Sequence, residues 1–260
     1  MVLIRSISAE IIKVRRSGLI WLATLGTLIV NSIFAILALY YPDIFIDSSQ
    51  YPNVWYSWIT FHYQGILGLL LPMYLVIICA LSINLENRNE TWRLLYVQPV
   101  PKYLLYLAKL FTVTWIFIMS HLFFLLLLAA APAILQVFWD KPTFHYKDLP
   151  IGLLISYFIR TILSSFGIIG LVFFISFFSR SFIFPLACGI LGFVLASVLL
   201  DASGYPAWFP FAYPALNLSL KDQLFMDEKL WMINLYSVLY YLFFLAGGIY
   251  FSERDTLRTR

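Results

Sequence analysis

Residue types that commonly carry chemistry are few in this chain and are far apart in the sequence. Its three histidines are His62, His121 and His145, and its two cysteines, Cys79 and Cys188, both lie inside apolar runs. The sequence contains no H-E-x-x-H pair, no G-x-S-x-G turn and no G-x-x-x-x-G-K-[ST] phosphate loop. We therefore predict no catalytic residues, no metal site and no cofactor in this chain. His121 is expected to be a hydrogen-bonded helix-packing residue.

Charge is concentrated in the stretch 85–103, which reads LENRNETWRLLYVQPVPKY. Four charged residues fall within two helical turns, and aromatic and aliphatic residues follow them. A short helix here would be polar on one side and apolar on the other, until Pro99 and Pro101 end it. Such a helix suits docking into a groove on a soluble partner. A solvated turn that contacts lipid headgroups is the alternative.

Arg160 is the single charged residue that we place inside a predicted membrane span. It lies about nine residues into the apolar run 151–178, or roughly 13 Å at 1.5 Å per residue. A charge at that depth is costly and points to function, so Arg160 is a candidate substrate or gating residue. The alternative is that its side chain snorkels to the outer surface and that the span begins near Thr161.

An aromatic, proline-rich segment precedes the last apolar run. Within 201–229, residues 204–214 read GYPAWFPFAYP. Proline breaks regular structure, and aromatic side chains favour an apolar or interfacial position. The pattern predicts re-entrant or interfacial short helices, with a compact loop on the outer leaflet as the alternative. The candidate substrate or gating residues here are Trp208, Phe209, Phe211 and Tyr213.

The elements that must position these residues are membrane-spanning helices. The chain is 62% hydrophobic and 12% charged, whereas a soluble domain has about 25% charged residues. This composition excludes a soluble enzyme, a disordered chain and a nucleic-acid-binding module. We predict an all-α polytopic membrane protein in the lipid bilayer, since a span needs about 20 apolar residues. The six predicted spans are 18–41, 64–84, 110–137, 151–178, 181–200 and 230–252.

The basic residues set the orientation. If the N-terminus is cytoplasmic, twelve Lys and Arg residues lie on the cytoplasmic side and four lie in outer loops. This bias predicts that both termini are cytoplasmic. Residues 1–17 have apolar residues at helical spacing with Lys13, Arg15 and Arg16 interleaved, which predicts an amphipathic helix anchored in the headgroup region. An irregular basic flank is the alternative.

Residues 85–110 resemble the first cytoplasmic loop of ABC-2 type transporter permeases. That loop has a Glu, a Thr, a leucine pair, a proline-containing turn with a basic residue, and an Ala-Lys-Leu start of the next helix. Residues 8–22 resemble the elbow helix and first span of the same family. The overall layout resembles the permeases of lantibiotic-immunity and bacitracin-resistance exporters. The matching loop residues here are Glu86, Thr91, Leu94, Leu95, Pro99, Lys102, Ala108, Lys109 and Leu110.

The resemblance implies a single ABC-2 transmembrane domain over 1–260, with 85–103 as a coupling loop that includes a coupling helix. Two permease subunits, identical or homologous, would work with a dimer of separate ATPase subunits. Those subunits would bind the ATP and Mg²⁺, so this chain would not be an enzyme by itself. The outer segment 201–229 would cap the transport path. The residues expected at the ATPase contact are Glu86, Arg88, Glu90, Thr91, Trp92 and Arg93.

The predicted function is that of the membrane subunit of an ATP-driven exporter of an amphipathic cargo, either a peptide antibiotic or a lipid-linked compound. One alternative is a membrane anchor that moves no cargo and transmits the ATPase cycle as a mechanical or signalling change. Another is a channel or ion-coupled carrier acting alone. The absence of Asp and Glu from the predicted spans argues against the ion-coupled carrier.

Overall fold

The computed structural model describes residues 2–41, 53–88, 100–138, 144–145, 148–179, 181–203, 206–219 and 228–254. Within these ranges the chain is helical and forms no strand, which confirms the predicted all-α class. A π-helical turn (His62–Leu67) lies between α3 and α4, and a 3₁₀ turn (Pro210–Ala212) precedes α8. The α-helices are α1 (Val2–Arg16), α2 (Leu19–Tyr40), α3 (Val54–Phe61), α4 (Gly68–Arg88), α5 (Lys102–Phe138), α6 (Ile151–Phe178), α7 (Ile183–Ser203), α8 (Tyr213–Ser219) and α9 (Glu228–Arg254).

Six of these helices contain a segment long and apolar enough to cross a membrane, as predicted. The chain is a multi-pass membrane protein. The segments are Leu19–Tyr40, Leu70–Arg88, Lys102–Val137, Ile151–Phe178, Ile183–Ala202 and Trp231–Arg254.

The helices on either side of the predicted coupling loop are longer than the sequence analysis expects. α4 continues to Arg88, beyond the predicted end of the second span at residue 84, and α5 begins at Lys102, before the predicted start at 110. Residues 85–88 contain no Gly or Pro to break the helix, and the Glu86 carboxylate pairs with Lys13 and Lys109 there. Residues 89–99 lie outside the described residues.

α6 is the central helix of the bundle. It packs most extensively against α9 and also contacts α4, α5, α7 and α8. In the most apolar 18-residue stretch of α6, 61% is buried inside the chain, whereas the corresponding stretches of α2 and α7 are 22% and 17% buried. α2 and α7 therefore turn most of their apolar surface outward, towards lipid or towards another protein.

Glycines allow close helix packing at two places that fix the outer and inner ends of the bundle. A Cβ at Gly192 of α7 would lie 2.7 Å from the Phe211 ring, and one at Gly248 of α9 would overlap the Tyr106 ring. The Tyr106 hydroxyl then donates to the Phe244 carbonyl oxygen at 3.0 Å. Small residues at such crossings let helices approach closely, which is a main source of packing energy in membranes.

α3 lies in a part of the chain that the sequence analysis leaves as an outer loop, whereas residues 64–67 of the π-helical turn fall in the predicted second span 64–84. The Asn53 side chain caps α3 by accepting from the Tyr56 backbone N–H at 3.0 Å. The indole N–H groups of Trp55 and Trp58 donate to the carbonyl oxygens of His145 and Leu128, at 2.9 and 3.0 Å. These bonds hold α3 against the far end of α5.

Candidate functional site

The candidate site is built where α1 meets the end of α4 and the first turns of α5. Glu10, Lys13 and Val14 lie at i, i+3 and i+4, so they share one face of α1. Glu10 and Val14 are buried, whereas Ile11 and Ile12 on the other side are exposed. α1 therefore turns Glu10 and Val14 towards the protein, whereas Ile11, Ile12 and Arg15 face outward.

Four charged side chains meet at this junction, and we call them the charge cluster: Glu10, Lys13, Glu86 and Lys109. The Lys109 ammonium donates to Glu10 Oε2 and to Glu86 Oε1, each at 2.8 Å. The Lys13 ammonium donates to Glu86 Oε1 at 2.6 Å and to Glu10 Oε1 at 3.1 Å. Each carboxylate thus lies between two ammonium groups, and the four formal charges cancel.

Burial makes this pairing energetically important. The side chains of Lys109 and Glu86 are 3% and 1% exposed, so neither charge is solvated by bulk water. Burying a charge in this way is costly unless the charged group is paired or hydrogen-bonded. Lys13 lies at the rim with 37% exposure. Burial alone would lower the Lys13 pKa, but attraction to Glu10 and Glu86 outweighs it, and the pKa is raised above its usual 10.5.

The charge cluster closes the base of the predicted coupling loop. Glu86 is two residues before the end of α4, and Lys109 is seven residues after the start of α5, so their ion pair joins the two helices across the loop. Lys13 and Glu10 add α1 to the same junction. A cluster without an exposed carboxylate or an open coordination position suits mechanical linkage rather than acid–base or metal chemistry.

The structure places the predicted ATPase-contact residues in different environments. The Glu86 carboxylate lies in the charge cluster and is 1% exposed, so in this chain it contacts Lys13 and Lys109, and its assignment to the ATPase contact stays a prediction. The Arg88 side chain is exposed at the end of α4. The remaining four, Glu90, Thr91, Trp92 and Arg93, lie outside the described residues.

The predicted membrane anchors of α1 also differ from one another. The Lys13 ammonium binds Glu10 and Glu86, so it holds α1 to the protein. The Arg15 side chain is exposed, and the Arg16 side chain lies outside the described residues. Glu10 was not expected as a site residue, although its place opposite the exposed Ile11 and Ile12 on α1 was a usable signal.

A second polar group, which we call the amide cluster, consists of Arg160, Asn217 and Asn234. Arg160 Nε donates to Asn217 Oδ1 at 3.1 Å, and the guanidinium also donates to the Asn217 carbonyl oxygen. Asn217 Nδ2 donates to the Arg160 carbonyl oxygen at 2.9 Å and to Asn234 Oδ1 at 2.7 Å. These bonds tie α6, α8 and α9 together.

The amide cluster settles how Arg160 is placed. α6 begins at Ile151, and Arg160 is 5% exposed, so the snorkelling alternative is wrong. The guanidinium carbon also lies 5.4 Å from the centre of the Tyr157 ring, which adds a cation–π contact. Donors on the Arg160 guanidinium are directed at Asn217, so Arg160 links α6 to α8, and its substrate or gating role stays a prediction.

The predicted aromatic residues of the outer segment divide into packing residues and one exposed residue. Phe211 and Tyr213 are buried, and the Tyr213 hydroxyl donates to the Ala207 carbonyl oxygen at 2.8 Å. Phe209 is half-buried, whereas Trp208 is 63% exposed. Trp208 is thus the candidate of the four most accessible to another molecule.

The histidines and cysteines do not converge. Within the part of the chain that the structure describes, no three His, Cys, Asp or Glu side chains are grouped to hold a metal. His121 stacks on Phe158 with ring centres 5.2 Å apart. Its buried Nε2 has no hydrogen-bond partner among the described residues, so the expectation of a hydrogen-bonded packing residue is wrong for that atom. Cys79 and Cys188 are free thiols.

Comparison with known proteins gives one family. The family model described as "ABC-2 family transporter protein" matches residues 6–198, which is about three quarters of the chain and includes the whole charge cluster. No curated protein matches the chain.

Proposed function

Because the chain belongs to the ABC-2 family of transporter proteins, we propose that it is the permease subunit of an ATP-driven exporter in a bacterial cytoplasmic membrane. Members of this family generally work with ATPase partners. In the proposed complex, two separate ATPase subunits bind ATP and Mg²⁺ and contact the residues around Arg88 and the 89–99 loop. The charge cluster at the base of that loop is the observation that carries the proposal.

The proposed mechanism begins with a push on the loop when the ATPase dimer closes. Glu86 moves with the end of α4, and its bonds to Lys109 and Lys13 pass the displacement to α5 and α1. Because the cluster is buried and neutral, it can move as a unit without exposing a charge to the membrane. The elbow helix α1 and the spans α4 and α5 then shift together.

A second permease completes the proposed unit. α2 and α7 are the least buried of the six candidate spans, and their outward surfaces are almost wholly apolar. These surfaces suit contact with an identical or homologous permease as well as with lipid. The second permease and lipid compete for the outward surfaces of α2 and α7.

The proposed cargo is an amphipathic molecule, either a peptide antibiotic or a lipid-linked compound. Trp208 presents an exposed indole at the turn that precedes the buried outer segment, and the Tyr240 hydroxyl holds that turn by donating to the Trp208 carbonyl oxygen at 2.7 Å. A fixed indole at an interface suits molecules that are apolar on one side and polar on the other. A role in lantibiotic immunity or bacitracin resistance belongs to this proposal.

The test is co-purification with a candidate ABC ATPase subunit, together with cargo transport in liposomes. The double substitution Arg88→Glu, Arg93→Glu reverses charge at the proposed contact and should lower both ATPase association and transport at least tenfold. Arg254→Glu, at the end of α9, is the matched control and should leave both unchanged. Normal association in the double variant would refute the contact. ATP hydrolysis without cargo movement would instead identify a membrane anchor that moves no cargo.

A further inference from the structure

α3, the π-helical turn His62–Leu67 and α4 form one continuous helical stretch. A π-helix bonds residue i to residue i+5, so its turn holds one residue more than an α-helical turn, and such turns occur often at functional sites. Pro72 is the fifth residue of α4. Because proline has no N–H, the Gly68 carbonyl oxygen lacks its usual α-helical donor. The backbone of this stretch is therefore weakened at two successive places between residues 62 and 72.

Unpaired buried polar atoms are concentrated at the π-helical turn. Within the ranges that the structure describes, eight buried side-chain atoms lack a hydrogen-bond partner, and four of them belong to residues 60–64. These four are Thr60 Oγ1, His62 Nε2, the Tyr63 hydroxyl oxygen and Gln64 Nε2. Each has exchanged water for an environment without a partner, which costs free energy. The present winding of the turn therefore carries a cost that is specific to it.

The surroundings of Tyr63 show how this cost arises. Its ring is wholly buried and stacks on the Tyr157 ring of α6, with ring centres 4.9 Å apart. It also lies edge-to-face with the His121 and Phe124 rings of α5, at 5.8 and 5.6 Å. Thr161, one turn after Tyr157, has an unpaired hydroxyl as well. This winding thus satisfies the ring packing of Tyr63 but not its hydrogen bonding.

Separate contacts hold the two ends of the helical stretch. The indole N–H groups of Trp55 and Trp58 fix α3 against carbonyl oxygens of other segments. At the opposite end, the Glu86 carboxylate fixes α4 to Lys13 and Lys109. With both ends held, a change in winding is confined to the weakened residues between them.

We infer that residues 62–72 form a joint with two windings of similar free energy. In the first winding the π-helical turn lies at 62–67, as in the structure. In the second winding the turn lies nearer to Pro72, and the residues that it has passed rotate by one helical position, about 100°. The Tyr63 hydroxyl then faces different neighbours, while α3 and the end of α4 keep their contacts. A role of this joint in transport rests on the proposed function, but the equilibrium itself does not.

Distances between two spin labels in the purified permease test for the two windings. The permease is studied in nanodiscs without ATPase or nucleotide, and Cys79→Ala and Cys188→Ala remove the native thiols. The labels are attached through Leu70→Cys, between the turn and Pro72, and Leu239→Cys on α9, both at exposed positions. The joint should give two distance populations. A single distance would overturn the inference.

Removing the extra residue of the turn should lock the joint. Deletion of Gly65 leaves the number of residues that an α-helical turn needs, so the label pair should give one distance. Gly65→Ala is the matched control because it keeps the residue count, and a Cβ at this position meets no atom within 4 Å. It should retain both populations. Two populations after the deletion would refute the assignment of the second distance to the turn.

Tyr63→Phe tests the cost of the unpaired hydroxyl, and it replaces the deletion if that variant does not fold. It removes the unpaired group from the first winding, so the ratio of the first to the second winding should rise about 2- to 10-fold. An unchanged or lowered ratio would overturn the inference.

Tyr106→Phe is the comparison for this variant. Tyr106 is equally buried, but its hydroxyl donates to the Phe244 carbonyl oxygen at 3.0 Å. Tyr106→Phe should therefore lower the midpoint of thermal unfolding, whereas Tyr63→Phe should not. A lowered midpoint with Tyr63→Phe would identify a buried water as the partner of its hydroxyl and would refute the proposed cost. Because no ATPase is present, these results do not depend on whether the protein exports cargo.

Discussion

The charge cluster and the amide cluster solve the same problem, a buried cation in a membrane protein, in different ways. In the charge cluster, the ammonium groups of Lys13 and Lys109 lie between two carboxylates, and the set is neutral. In the amide cluster, the Arg160 guanidinium donates to the side-chain amide oxygen and the backbone carbonyl oxygen of Asn217. The described contacts of the first cluster are ion pairs, and those of the second are hydrogen bonds to uncharged oxygens.

This difference indicates different uses. The ion pairs of the charge cluster stay intact when α1, α4 and α5 move together. The cluster therefore suits a junction whose three helices shift as one unit. The amide cluster fixes α8 against α6 and α9 by directional bonds that weaken steeply when their geometry changes. It therefore suits a part of the protein that holds its shape.

The largest effect should follow from unbalancing the charge cluster. Lys109→Met removes the buried cation that pairs with both Glu10 and Glu86, and should lower the free energy of unfolding by about 3–5 kcal/mol. Urea or thermal unfolding in detergent measures this. Lys102→Met, at the start of the same helix, should cost less than about 1 kcal/mol. Adding Glu86→Gln to Lys109→Met should recover part of the loss, and a double variant no more stable than the single one would contradict charge balance.

A smaller loss should follow from removing the buried cation of the amide cluster. Arg160→Leu deprives two Asn217 oxygens of their donors, and should lower the free energy of unfolding by about 2–3 kcal/mol. Arg160→Lys keeps the charge but not the planar two-point contact, and should recover only part of the loss. If Arg160→Lys were as stable as the wild type, charge rather than geometry would hold this cluster.

The next effect isolates one neutral hydrogen bond of the amide cluster. Asn234→Ala removes the acceptor of the Asn217 amide N–H, and should cost about 0.5–1 kcal/mol, as interhelical hydrogen bonds in membrane proteins generally do. The Arg160–Asn217 contacts should persist, so the loss should add to the effects of substitutions in the charge cluster. A loss above about 2 kcal/mol would show that the amide cluster is as cooperative as the charge cluster.

The smallest effect concerns the rim of the charge cluster and depends on pH. The folded pKa of Lys13 is raised above 10.5, so its stabilising contribution is fully present below pH 10.5 and is lost as the pH rises through the folded pKa. Exposure limits that contribution to less than about 1 kcal/mol. Lys13→Arg stays protonated and should lose less stability than the wild type between pH 10 and 12. Identical alkaline unfolding curves would exclude Lys13 as a contributor.

The sequence predicts the helical class well because the relevant signal is local. Six apolar runs predict six spans, and Ile151–Phe178 coincides with the prediction, since no charged residue interrupts that run except Arg160. The predicted bounds of the helices on either side of the coupling loop, α4 and α5, were less accurate. α4 continues through Glu86 because Lys13 and Lys109 pair with the Glu86 carboxylate. Both lysines are distant from Glu86 in the sequence, so no local pattern indicates this pairing.

The candidate site was only partly predictable for the same reason. Glu86 and Lys109 were both recognised as motif residues, yet their pairing across 23 positions is a tertiary contact. Arg160 was recognised as costly, but its partner Asn217 lies 57 residues away in a segment whose prolines obscured its helix. Phe211 and Tyr213 were expected at the transport path, whereas the structure shows that they pack inside the bundle.

By itself, the sequence determined that this protein crosses a membrane six times and concentrates its charge near one loop, because apolar length and charge placement are properties of contiguous residues. Only the tertiary structure decided which charges pair with one another and which aromatic residues are buried. Each of these depends on side chains brought together from separate helices. Their energies come from burial and geometry, which a linear pattern does not contain.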